Sequence, residues 1–231
     1  MPFNTVAQNA MLDVLDESGG TAVSWIGVHQ LTVAPGSGDG TPGIGTNAAT
    51  GTSAEATGGS PAYARQAVTW AAASSGQKTG SSGTLTFDVP AGTYAFFGMY
   101  SASTGNSNNY RGYIPFGGSS ALKGFASVDT TLTNDRFFSV AHGMSDNDRV
   151  IISPVFGETI PTGLTDGAVY YVVSSATDTF KVSTTQGGGA VDITATGGGE
   201  VYWQRVIVET FNAQGQITVA ANQLVMDLTG T

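Results

Sequence analysis

Any chemistry in this chain would have to be built from two histidines and a few carboxylates. His29 lies in an apolar run and His142 precedes Gly143 in turn-like text. Neither has a companion at ligand spacing, and a metal site needs three or four converging donors. Both are expected to be local structural residues, with His142 bonding into the 143–148 turn. Asp146 and Asp148 flank Asn147 and could be read as a carboxylate pair for glycoside hydrolysis. An Asp-Asn-Asp run beside Arg149 is better explained as a turn, where Asp side chains bond nearby backbone. A calcium loop would need several more oxygen ligands at fixed spacing. The glycine runs 187–189 and 197–199 lack the lysine and following helix of a phosphate-binding loop and read as hairpin turns. Tyr94, Phe96, Phe97 and Tyr100 read as core, whereas Tyr110, Tyr113 or Trp203 could stack on a sugar if exposed. The expectation is therefore no catalytic residue, no cofactor-binding residue, no metal ligand and no cofactor: the chain is not expected to be an enzyme.

The composition narrows the partners. Glycine fills 33 of 231 positions, a share about twice the usual ~7%. Charged residues are 11% and apolar residues 40%, which suits short strands, tight turns and a neutral hydroxyl-rich surface. Eight Lys and Arg stand against 17 Asp and Glu, a net charge of −9. The cations are scattered singly, so no basic patch is available to neutralise phosphates. No nucleic-acid partner is expected, and no membrane insertion, because no run approaches the ~20 apolar residues of a span. Cysteine is absent, which excludes disulfides and thiolate metal sites. The opening text MPFNTVAQNAMLDVLDES has no basic segment or long apolar run and does not read as a signal peptide. Synthesis in a cytoplasm is the expectation.

These residues must be positioned mostly by strands. The one helix candidate is 3–17, where Phe3, Val6, Ala10, Met11, Val14 and Leu15 recur at helical spacing ahead of Gly19-Gly20. Strands are expected at 22–31, 63–73, 84–89, 93–100, 110–116 and 121–126. The 93–100 text, TYAFFGMY, reads as buried on both faces. Residues 34–61 hold little to bury and read as a long surface loop that orders against a partner. The text then changes: 137–140, 149–153, 168–173, 179–182, 190–193 and 201–207 are short strand candidates joined by turn residues. Closing strands are expected at 216–219 and 223–228. The fold class is thus all-β: a β-sandwich, jelly-roll-like or immunoglobulin-like, with a short N-terminal helix and a second small β-domain inserted. The sandwich takes 1–126 plus 205–231, and the insert takes 127–204; tandem domains are the alternative. Trp25 and Phe97 are expected in the sandwich core.

Several stretches carry a resemblance. IGVH at 26–29, TGGSPAYARQ at 57–66, VTWAAA at 68–73, TFDVPAG at 86–92, FGMYSASTG at 97–105 and ETFNAQGQITV at 209–219 resemble a family of small bacteriophage virion proteins of tail-fibre and minor-tail type. The tract after His29 is longer than that family's pattern. AHGMSDNDRV at 141–150, LTDGAVYYVV at 164–173 and TFKVSTT at 179–185 resemble a small β-domain that recurs in phage tail and fibre proteins. The resemblance implies a virion component, most simply a minor tail or tail-tip fibre protein, with capsid decoration or head fibre as the alternative position. It implies other phage structural proteins as partners and a symmetric homo-oligomer, a trimer being the expected state. A glycan- or receptor-binding module, with the insert facing the host cell surface, is the competing function.

Overall fold

The computed structural model describes residues 23–31, 55–80, 83–104, 109–117, 122–155 and 157–227. The helix expected over 3–17 and most of the 34–61 loop lie outside the described residues. The described chain is all-β, with a short 3₁₀ turn at Leu132–Asn134. None of its helices is long and apolar enough to cross a membrane.

Strands β1 (Trp25–Gln30), β2 (Gln66–Ala67), β5 (Gly92–Tyr100), β6 (Tyr110–Pro115) and β13 (Glu209–Phe211) form a five-stranded antiparallel sheet. Its order is β13-β5-β1-β2, and β6 pairs with β5 along the edge that β13 also uses. Two ribbons accompany it. One is β4 (Leu85–Val89) with β14 (Gly215–Val219); the other is β3 (Gln77–Thr79) with β15 (Val225–Asp227). Strand β4 shows how sequence makes the layer: Leu85, Phe87 and Val89 are buried while Thr86 and Asp88 are not, the period of two of a pleated strand. These side chains share a core with Ile26 and Val28 of β1, Trp70, Tyr94, Ile217 and Met226.

The remaining strands close on themselves. They are β7 (Lys123–Val128), β8 (Phe137–Phe138), β9 (Arg149–Pro154), β10 (Val169–Val173), β11 (Thr179–Ser183) and β12 (Glu200–Val206). They form an antiparallel barrel in the order β10-β11-β8-β7-β12-β9. Val150, Ile152, Tyr170, Val172, Phe180, Val182, Val201 and Trp203 fill it. A third cluster joins barrel to sheet: Ala95 and Phe96 of β5 meet Ile151, Val169 and Val206 of the barrel, with Leu31, Tyr113 and Val208 alongside. Strand β5 is therefore buried on both faces, as its text implied. Likewise β9 and β10 send alternate residues inward to the barrel and outward to the sheet, so they read as continuous apolar runs.

Four expectations need correction. The strand expected at 121–126 as part of the sandwich is β7, which pairs with β8 and β12 of the barrel. The 63–73 strand shrinks to β2, with Trp70 forming only an isolated bridge to Gly80. Residues 190–193 are not a strand; the Ile193 N–H goes to the Asp135 carboxylate instead of to a ladder. Trp25 is half-buried and outside the core, whereas Phe97 packs against it. Two strands, β3 and β13, fall in segments with no apolar alternation. Lys78 of β3 is nonetheless buried, opposite Met226.

Candidate functional site: a buried ion-pair network under a polar cleft

Strand alternation sends Ile26 and Val28 into the core and leaves Trp25, Gly27 and His29 on the other face of the sheet. Across the ladder Gly27 lies opposite Gly98, and Trp25 lies opposite Tyr100. Two facing glycines in strand interiors weaken the sheet unless something needs the space. Here the need is explicit. A Cβ on Gly27 would sit 2.7 Å from Glu55 Oε1, 2.9 Å from the Tyr63 hydroxyl and 3.0 Å from the Tyr100 ring. A Cβ on Gly98 would sit 2.5 Å from His29 Nε2 and 2.8 Å from the Tyr100 ring.

The groups in that hollow form one network. Glu55 bridges His29 through the backbone, and the Ala56 N–H donates to the Val28 carbonyl at 2.9 Å. Ala56 is buried, so the end of the tract expected as surface loop is part of the fold. The Arg65 guanidinium grips Glu55 with two parallel bonds, Nε to Oε1 and Nη2 to Oε2, both at 2.7 Å. This is the strong bidentate geometry of an arginine–carboxylate pair. Arg65 Nη1 donates to the Ala102 carbonyl at 2.9 Å, and its guanidinium carbon lies 3.4 Å above the centre of the Tyr100 ring. The Tyr63 hydroxyl donates to Glu55 Oε1 at 2.9 Å and accepts the Val28 N–H at 2.8 Å. His29, fully buried, shares a 2.5 Å hydrogen bond with the Tyr100 hydroxyl.

Burial, and then the neighbouring Glu55 carboxylate, push the Tyr63 phenol well above its ordinary range. The same two causes raise Tyr100, partly offset by Arg65. Burial works against the Arg65 charge, but its hydrogen bonds to Glu55 and that charge outweigh it and hold the cation more firmly than usual. Both phenols therefore stay protonated and keep their capacity to donate. The pair and the Tyr63 phenol form the floor of a cleft of about 340 Å³, with Thr57, Gly58, Ala64, Ser103 and Thr104 around it.

His29 lies in this network, whereas His142, Asp146 and Asp148, also singled out from sequence, sit elsewhere and hold backbone. His142 Nδ1 accepts the Met144 N–H at 3.1 Å, which leaves Nε2–H to donate to the Ala176 carbonyl at 2.7 Å. It thus bonds into the 143–148 turn. Asp146 accepts the Ser175 N–H at 2.7 Å. Asp148 accepts the Ser145 N–H at 2.9 Å and pairs with Arg205 at 3.0 Å. The two carboxylates are committed to different partners. Trp203 is core: its indole N–H donates to Ser139 Oγ at 3.0 Å. Tyr113 packs edge-on against Phe96 at the barrel–sheet junction. Among the described residues no three His, Cys, Asp or Glu side chains gather as metal ligands.

Sequence reading missed the Glu55–Arg65 network, although its parts were in view. Gly27 and His29 come from the 26–29 text, Tyr63 and Arg65 from 57–66, Gly98 and Tyr100 from 97–105. Gln214, from 209–219, bonds the backbone of Ser60 and Pro61. Comparison of the chain with protein-family models, curated proteins and solved structures gave no match.

Proposed function

We propose that the chain is a non-catalytic structural component of a bacteriophage particle, a minor tail or tail-tip fibre protein that assembles through contacts with other virion proteins and with copies of itself. One observation carries the reading. Three of the stretches on which the virion-protein resemblance rests, 26–29, 57–66 and 97–105, meet at the network under the cleft, and Gln214 of 209–219 bonds the backbone of Ser60 and Pro61. Their residue types are those the network requires: two small residues facing each other, a phenol, a guanidinium and a second phenol beneath it. The candidate catalytic groups are fasteners of turns, which suits a part whose task is to hold shape.

The test is immunogold labelling of purified particles with antibody to this chain, followed by cryo-electron microscopy. Label and density at the tail end are expected. Density confined to the capsid would overturn the tail position, and particles without the chain would overturn the virion role.

A further inference from the structure

We infer that the cleft above Glu55 and Arg65 is a binding site for a neutral, polyhydroxylated ligand, one or two sugar units. This goes beyond the assembly role and does not depend on where in a particle the chain sits.

The charge argument comes first. The two ionised groups in the floor neutralise each other through a bidentate pair. Of the two, the carboxylate reaches solvent more: the Glu55 side chain is 14% exposed and that of Arg65 is 4%. An anionic ligand would meet the carboxylate first, on a chain whose net charge is −9. A metal ion would find a single carboxylate already held by a guanidinium: Glu55 is the one carboxylate in the lining, and no three His, Cys, Asp or Glu side chains gather among the described residues. A neutral ligand carries neither penalty.

The lining supplies what a sugar hydroxyl needs. Each such hydroxyl is at once a donor and an acceptor. Around the floor stand Thr57, Ser103 and Thr104, all exposed, each able to donate and accept. Gly58 and Ala64 carry no bulk at the entrance. The volume of about 340 Å³ lies at the small end of ligand pockets, roughly 300–1,000 Å³, and suits one or two sugar rings.

The site is also built in advance. The facing glycines Gly27 and Gly98 admit the network, and Tyr63, Arg65 and the strand backbone hold Glu55 in one orientation. A ligand therefore does not have to order the floor when it binds. Because the cleft is open and the ligand small, affinity should be on the order of millimolar.

The experiment is an NMR titration of the ¹⁵N-labelled full chain. The probes are neutral methyl glycosides (glucoside, galactoside and N-acetylglucosaminide) and, as anions, glucuronate and sialic acid. The expected result is saturable shifts with at least one neutral glycoside, confined to amides of residues 55–65 and 101–104. Ala64→Trp and Thr104→Trp, both at exposed positions, should each weaken that binding at least tenfold while the remaining amide signals keep their places. If one variant misfolds, the other decides. No saturable shift with any neutral probe, binding of the anions alone, or shifts centred on the barrel would each overturn the inference.

Discussion

Replacing Arg65 by Met keeps most of the side chain's volume and removes its charge. Three things are then lost together: the bidentate bond to Glu55, the bond to the Ala102 carbonyl and the cation over the Tyr100 ring. The largest cost is the one left behind. Glu55 keeps a mostly buried carboxylate with the Tyr63 hydroxyl as its remaining side-chain donor among the bonds described above. Removing one member of a buried pair typically costs about 3–5 kcal/mol, most of it from the uncompensated charge. With a urea m-value of about 2 kcal/mol/M, the unfolding midpoint of the sheet should fall by about 2 M. The assay is urea denaturation followed by fluorescence. Trp70 reports the core beneath the sheet and Trp203 reports the barrel, so a Trp203→Phe background isolates the sheet signal. The reasoning also fixes the double variant. Arg65→Met with Glu55→Gln removes both charges, so its cost should fall short of the sum of the two single-variant costs by roughly 2 kcal/mol, a coupling typical of groups in contact. A single-variant cost below about 1 kcal/mol, the size of a surface change, would refute the network as drawn. So would a double variant whose cost is the sum of the singles.

Gly98→Ala should destabilise the fold by about 1–3 kcal/mol through overpacking, because its Cβ would press on His29 and Tyr100; a thermal midpoint unchanged from wild type would mean the hollow is not filled. Asp148→Asn should cost less than about 1 kcal/mol, as expected for a partly exposed ion pair, and Asp146→Asn and Asp148→Asn should leave reducing-sugar release from host polysaccharides where the wild type has it; a wild-type activity abolished by either change would revive the enzyme reading. Asp129 is held below the ordinary carboxyl range by the Asn134 amide, then by the Thr131 N–H and Arg136. A lowered folded pKa gives stability that is complete above the unfolded value of about 3.9 and is lost as pH falls through the folded one. Asp129→Asn should therefore lower the urea midpoint at pH 7, with the gap to wild type closing as the pH falls below the unfolded value and through the folded one; a gap that stays constant through that titration would contradict the assigned cause.

Local pattern carried much of the fold. Text such as LTFDV alternates because one face of β4 meets a core and the other does not, and that is visible without any tertiary knowledge. The barrel strand Thr179–Ser183 is legible for the same reason, and Val169–Val173 as a continuous apolar run buried on both faces. The failures have a common cause, which is that pairing or bonding outside the segment decided its state. Gln77–Thr79 is polar throughout and is a strand because β15 lies beside it. Residues 190–193 alternate, yet the Asp135 side chain takes the backbone donor a ladder would need. Glu55 stood in a Gly/Ser/Thr tract and gave no local sign of burial. The usable signal was indirect: Gly27 and Gly98, each inside an apolar strand text, mark places where another group comes close.

That signal changes how β5 is understood. Eight residues, TYAFFGMY at 93–100, are apolar enough to imply burial on both sides. One side is the sheet's own core, reached by Tyr94, Phe97 and Met99. The other side is divided along the strand. Phe96 meets the barrel through Ile151, Val169 and Val206. Two residues on, Gly98 admits the His29–Tyr100–Arg65–Glu55 network, and the backbone at 55–56 lies against β1. The aromatic-to-glycine step from Phe96 to Gly98 is thus the boundary between an apolar seat for the barrel and a polar seat for the cleft. The barrel's first and last strands, β7 and β12, are hydrogen-bonded neighbours, so the chain enters and leaves it at one place, the geometry that lets a domain sit within another chain segment. What docks the barrel on the sheet and what builds the cleft are successive side chains of one strand. A change at Phe96 should therefore loosen the barrel seat and disturb the cleft, whereas a change at Arg65 should disturb the cleft and leave the barrel seated.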